Sequence, residues 1–214
     1  MISLVATDVE GGDSCQSFSD GSMNGNVEVP ATLIIVPPPQ LGTWKHELDT
    51  RDATCSTPWQ SPDWELGRTR GVHVVLTTYH TVSAEWNTDE TKRDSALFSV
   101  KWRRIILDEG LFIRNVKSRM AKSVCILDAK ARWAVTGTPI QNRLSDFAAL
   151  LQFIRVYPYD DTRRFDVDIA NLWKAGEETE AVDRLQRLSN YLLLRRPKYT
   201  IDLPARCDLN CLAE

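Results

Sequence analysis

The sequence predicts an α/β fold, a parallel sheet with helices on both faces. Three observations carry that reading. Short, continuous, β-branched apolar runs recur along the chain. Segments with helical spacing separate them. Polar or turn-forming residues follow each run, where open parallel sheets gather their ligands.

The elements follow in order. Residues 1–7 (MISLVAT) read as the tail of a helix, and residues 8–29, rich in Gly, Ser, Asp and Asn, as an acidic and disordered surface loop. ATLIIVP (31–37) is a buried strand closed by prolines, and QLGTWKHEL (40–48) follows with Leu41, Trp44, Lys45 and Leu48 at helical spacing. VHVVLTTY (72–79) is a second strand. RRIILDE (103–109) is a third, ending in two carboxylates. Residues 116–127 read as a helix, and RWAVTGTP (132–139) as a fourth strand running into a turn. SDFAALLQFIRV (145–156) is an amphipathic helix with Ser145 as its cap, and residues 177–196 form another, with Leu185, Leu188, Leu192 and Leu193 on its apolar side. Residues 50–70 and 158–176 are weakly patterned.

Composition narrows the class. The 214 residues are 43% hydrophobic and 26% charged, with a net charge of −3, which is ordinary globular usage. Residues 1–30 hold five acids and no Lys or Arg, whereas residues 101–132 hold nine bases against three acids, so a near-neutral total can hide a basic face. The five cysteines (15, 55, 125, 207, 211) form no CxxC, which speaks against zinc and for a reducing, intracellular setting. No apolar run approaches the roughly 20 residues of a membrane span, and no signal peptide is legible.

The chemistry concentrates behind the strands. Asp108–Glu109 places a hard oxygen ligand for hydrated Mg²⁺ beside a carboxylate able to orient and deprotonate water. Such acids also cap a following helix. Thr136–Gly137–Thr138–Pro139 joins two hydroxyls to a glycine that permits close backbone approach or a positive φ, although an ordinary strand–helix turn reads the same way. Several other features read as structure. His46–Glu47 is not HExxH, because residue 50 is Thr. Trp44, Trp102, Trp133 and Trp173 read as packing residues, and Lys117–Lys122 as a solvated helix face.

Read together, WRRIILDEG (102–110), IRN (113–115) and WAVTGTPIQNRLSDFAALLQFIRV (133–156) resemble the Swi/Snf family of DNA-dependent ATPases in helicase superfamily two. The DEG-x-x-IRN wording resembles its helicase-like transcription factors and post-replication repair translocases. TLIIVPPPQLGTWKHEL (32–48) is similar to motif Ia, VVLTTY (74–79) to motif Ib, and LLRRPKYTIDLPAR (193–206) to the segment leaving the first lobe. The resemblance implies a three-layer RecA-like sheet, first lobe only and without the P-loop strand, over residues 31–206. Residues 1–30 precede it, and residues 207–214 start the inter-lobe segment. It implies that Asp108 holds the Mg²⁺ of bound ATP and that Glu109 positions the hydrolytic water. Thr136, Gly137, Thr138, Pro139, Gln141 and Asn142 would form the coupling motif, with Pro37, Trp44, Thr77 and Thr78 along double-stranded DNA. Chromatin or repair proteins are further partners it implies, and the nucleus is the compartment.

Two departures qualify this. Leu111 stands where the family has His in DEAH or DEGH. None of the ten glycines is followed by Lys, so the G-x-x-x-x-G-K-[ST] phosphate cradle is missing from the sequence. With no cradle, and no second lobe to supply an arginine finger worth on the order of 10³–10⁵ in rate, the chain is expected to be inactive alone. It would bind ATP and Mg²⁺ weakly or not at all. The alternative is a non-catalytic DNA- or protein-binding module derived from the same lobe. An unrelated enzyme with Cys125 as nucleophile finds no support in the sequence.

Overall fold

The computed structural model describes residues 27–50, 56–58, 74–86, 95–140, 143–176 and 178–194. The expected helix remnant and acidic loop, residues 1–26, lie outside them, as do Cys207 and Cys211. The chain divides into two compact units, one reaching Asp166 and the other starting at Val167.

In the first unit the described residues form a five-stranded, all-parallel sheet. Its strands are β1 (Val27–Val36), β2 (Ser56–Pro58), β3 (Val74–Thr78), β4 (Val100–Leu107) and β5 (Asp128–Ala134), in the order β2-β3-β1-β4-β5. Between them lie α1 (Leu41–Thr50), α2 (Tyr79–Glu85), α3 (Ala96–Ser99) and α4 (Arg119–Ile126). Helices α5 (Leu144–Ile154) and α6 (Thr162–Phe165) follow β5.

The centre of the sheet is the most apolar part of the sequence, because a strand covered on both faces has no polar side to show. Leu33, Ile34, Ile35 and Val36 of β1 and Ile105, Ile106 and Leu107 of β4 are all fully buried. Successive side chains point to opposite faces, which separates two helix layers. Ile106 joins the cluster of Ile34, Val36, Leu48, Val74 and Leu76 under Leu41 and Trp44 of α1. Its neighbour Ile105 is the register partner of Arg132, whose guanidinium lies over the Phe153 ring of α5. Helices α1 and α5 therefore cover opposite faces, and the expected three-layer α/β architecture is present.

Several expectations change in detail. β1 begins at Val27, inside the expected loop, because Val27, Glu28 and Val29 pair with Val100, Lys101 and Trp102 of β4. A register shift between Val29 and Thr32 accommodates Pro30, which has no N–H for the ladder. β4 starts three residues earlier than read and stops before its acids. β5 (128–134) begins four residues before the RWAVTGTP segment read as strand and turn, since the polar DAKARWA lies at the edge with both faces partly open, and hydrophobic pattern cannot mark the start of such a strand. The three-residue edge strand β2 falls in a stretch that carried no pattern. Ser145 does not cap α5. Arg143 is the N-cap, and its backbone N–H donates to Asp146 Oδ2 at 3.2 Å. Trp133 and Trp173, read as packing residues, are 41% and 43% exposed, whereas Trp102 is fully buried with its indole donating to the Leu97 carbonyl at 3.1 Å.

The second unit holds a π-helical turn completed at Ala170, α7 (Asn171–Ala175), which ends at Gly176 with φ 87°, and α8 (Glu178–Leu192). In α8, Ala181 is buried and Leu185 and Leu188 are half-buried, but Leu192 and Leu193 of the expected apolar side are exposed. Arg184 ties α8 to the turn by donating to the Asp168 carbonyl at 3.0 Å. Among the described residues, no helix is long and apolar enough to cross a membrane.

Candidate functional site at the carboxyl ends of the strands

The strand order places a switch point between β1 and β4. After β1 the chain runs to the β2–β3 side, and after β4 to the β5 side. Open α/β sheets bind ligands at such a point, and Asp108 leaves β4 there. Its N–H continues the ladder to the Ile35 carbonyl at 2.9 Å.

Neutral donors hold Asp108 from two other strand ends. Trp44, one turn into the helix after β1, donates its indole Nε1–H to Asp108 Oδ2 at 2.6 Å. Tyr79, the first residue after β3, donates its hydroxyl to the Asp108 carbonyl at 2.8 Å. The Tyr79 hydroxyl stays protonated, because burial, and then the charges of Asp108 and Glu109, push its pKa far above the usual tyrosine range. Its ring stacks on Phe112 with centroids 5.1 Å apart.

Glu109 is exposed, with φ 51° and ψ 56°. That left-handed conformation costs a non-glycine residue about 1–2 kcal/mol and persists only where neighbours enforce it. Here the Gly110 N–H donates to the Val135 carbonyl at 2.8 Å, and the Val135 N–H to the Leu107 carbonyl at 2.8 Å. Gly110 is also the one crowded described glycine. A Cβ there would meet Leu150 Cδ2 at 3.1 Å and Ala134 Cβ at 3.4 Å. The strand end thus turns sharply against β5 and aims Glu109 outward.

The turn after β5 lies alongside. Leu107 and Ala134 are register partners, so Asp108 and Val135 leave adjacent strands side by side. Thr136 Oγ1 accepts from the Thr138 N–H at 3.2 Å, a hydroxyl-closed turn. Gly137, expected to permit close approach or a positive φ, does neither, since a Cβ there would meet nothing within 4 Å. Pro139 is half-buried, and Gln141 and Asn142 lie outside the described residues.

The residues expected along DNA are differently disposed. Pro37 and Thr77 are buried, and among the described residues the Thr77 hydroxyl has no hydrogen-bond partner. Thr78 Oγ1 caps α2 by accepting from the Thr81 N–H at 3.2 Å. Trp44 turns its indole N–H inward to Asp108. Nor is the basic segment one open face. Lys101 and Lys130 pair with Glu28 at 3.0 and 2.7 Å, Arg119 donates to the Trp86 carbonyl at 2.7 Å, and Arg132 donates to the Leu127 carbonyl under α5. Lys117 and Lys122 are exposed, as read. The Cys125 thiol is pushed up to about 11 by burial, which keeps it protonated and removes it as a nucleophile.

Among the described residues no group of three or more His, Cys, Asp or Glu side chains could hold a metal, so the Asp108 carboxylate is the hard ligand the strand end has to offer a hydrated divalent cation. Among the described residues, Asp108 Oδ2 accepts from the Trp44 indole at 2.6 Å and Oδ1 from the Glu109 N–H at 3.1 Å, and one hydrogen bond on each oxygen leaves lone-pair capacity on the carboxylate. These are hard oxygens of the kind that hold Mg²⁺ through few protein ligands. Glu109 stands one residue on with an exposed carboxylate. Sequence reasoning found both acids but missed Tyr79 and Gly110. A Tyr opening the helix behind a buried strand was the available signal for the first. Nothing local marked the second.

Comparison with known proteins places these features in context. The SNF2-related domain family matches residues 1–210. The chain is 38% identical over 172 residues to transcription termination factor 2 of Drosophila melanogaster, covering 78% of this chain and 15% of that protein. It is 42% identical over 125 residues to the helicase-like transcription factor of Oryctolagus cuniculus, covering 58% and 12%. It is 31% identical over 179 residues to DNA repair protein RAD5A of Arabidopsis thaliana, covering 81% and 17%. The chain thus spans less than a fifth of the length of these relatives. Among solved structures, the Sulfolobus solfataricus SWI2/SNF2 ATPase core in complex with dsDNA superposes with a TM-score of 0.64 at 27% identity, covering 80% of this chain and 34% of that one.

Proposed function

The chain belongs to the SNF2-related domain family, and on that premise we propose that it is the acid-motif part of a first RecA-like lobe in an ATP-dependent DNA translocase. One observation carries the reading: Asp108 and Glu109 leave β4 at the switch point, beside the Val135–Pro139 turn on the neighbouring strand. When ATP is bound, Mg²⁺ supplies charge neutralisation at the transferring phosphate. The Asp108 carboxylate is the ligand this chain would offer it. Glu109, held outward by its left-handed backbone, orients the attacking water and takes its proton. Thr136 and Thr138 join this site to the segment that follows β5. Double-stranded DNA, the ligand in the matching archaeal structure, is the proposed partner, gripped through phosphates by exposed bases such as Lys117 and Lys122. Its place of action is the nucleus, with repair or chromatin proteins beside it.

Because no glycine of the sequence precedes a lysine, ATP finds no phosphate cradle here, and the chain alone does not turn it over. The test is ATP hydrolysis by the purified chain with and without duplex DNA, alongside duplex binding across a salt series. No DNA-stimulated turnover, with binding that weakens steeply as salt rises, is expected. Turnover that disappears in Glu109→Gln would overturn the inactivity. No duplex binding at low salt would overturn the DNA-binding part.

A further inference from the structure

Asp108 is held at both ends by groups without charge. Trp44 Nε1–H meets Oδ2 at 2.6 Å across 64 residues of sequence, and the Tyr79 hydroxyl meets the backbone carbonyl at 2.8 Å. From this geometry we infer that Trp44 is the positioning residue of the metal site, fixing the orientation in which the Asp108 carboxylate is presented to the cation. The inference rests on the reading of Asp108 as the Mg²⁺ ligand.

Three physical points support it. The contact, at 2.6 Å, is a close one for an N–H···O bond. The donor cannot wander, because Trp44 packs on the cluster of Ile34, Val36, Leu48, Val74, Leu76 and Ile106. An indole is a donor only and carries no charge. A Lys or Arg in its place would also hold the carboxylate, but would repel the incoming cation and neutralise the charge that attracts it. Trp44 orients Asp108 while leaving its full negative charge to the metal. It also ties the site to α1, the helix following the buried strand in the segment similar to motif Ia.

Nuclear magnetic resonance of the whole chain, with Mn²⁺ as the probe, tests this. The Trp44 indole N–H signal is expected downfield and should move in Asp108→Ala, while that of Trp102, bonded to the Leu97 carbonyl, stays put. At high Mn²⁺ concentration, needed because the chain alone is expected to hold the cation weakly, the ion should broaden the Gly110 amide and the Trp44 indole in the wild type. In Trp44→Phe, which keeps an aromatic ring in the cluster, the Mn²⁺ concentration needed to broaden Gly110 should rise about tenfold, as for loss of an outer hydrogen bond to a metal ligand. An unmoved Trp44 indole in Asp108→Ala, or equal Mn²⁺ affinity in Trp44→Phe and wild type, overturns the inference. Absence of Mn²⁺ broadening in the wild type overturns instead the reading of Asp108 as the ligand, and is distinguished from the first failure by the indole shift.

Discussion

The two ends of the parallel sheet treat a carboxylate in opposite ways. At the carboxyl end, Asp108 is gripped by an indole and its carbonyl by a phenol. At the amino end, Glu28 lies between Lys101 at 3.0 Å and Lys130 at 2.7 Å, all three substantially exposed. Those ammonium groups, Lys130 first, hold the Glu28 carboxyl below the usual range. Neutral donors orient an anion and leave its charge for a ligand, whereas cations orient it by cancelling that charge. The first end is built to receive something, and the second is closed by local pairing. A bonded carboxylate is thus informative chiefly through the charge of its donors.

Substitutions can break or sharpen this contrast. The largest effect belongs to Tyr79→Ala, which removes a fully buried ring and the hydroxyl on Asp108. By analogy with aromatic truncations, it should lower stability in urea by about 3–5 kcal/mol. A loss below 1 kcal/mol would show that the carboxyl end is not organised around this ring. Gly110→Ala comes next. Its Cβ would press on Leu150 Cδ2 at 3.1 Å, an overpacking that costs about 1–3 kcal/mol, while Gly137→Ala, with open space around it, should leave the urea midpoint in place. Equal midpoints for the two would remove the argument that Gly110 sets the close approach of the acid turn to β5.

The smallest effect is at the amino end. Glu28 has a lowered pKa in the folded chain, so its contribution is present above its unfolded pKa and lost as pH falls. Exposure and screening keep it small. Glu28→Gln should therefore match the wild-type melting temperature closely at neutral pH, and any residual difference should vanish as pH drops through the glutamate range. A large neutral-pH difference would mean that the amino end is as organised as the carboxyl end.

Much of the fold was legible because burial leaves a compositional trace. ATLIIV and RRIIL announced the central strands β1 and β4, and the acids following the second announced the candidate site. What failed to show lies at the edges or depends on distant partners. The edge strand β2 and the first half of the edge strand β5 are held by backbone pairing, and backbone pairing is indifferent to side-chain type. Trp44 looked like one more helical apolar residue, since nothing in positions 40–48 points to a carboxylate 64 residues away. Of the two glycines in motif positions, the sequence drew attention to Gly137, whereas crowding singles out Gly110.

By itself, the sequence determined the fold class, the helix layers and the identity of the two acids. Those follow from hydrophobic periodicity and from residue order, which are local properties. Only the tertiary structure decided that the Trp44 indole reaches Asp108, that Glu109 adopts a left-handed backbone, and that the basic segment is dispersed among partners. Each of those depends on groups far apart in sequence brought within a few ångströms by sheet register.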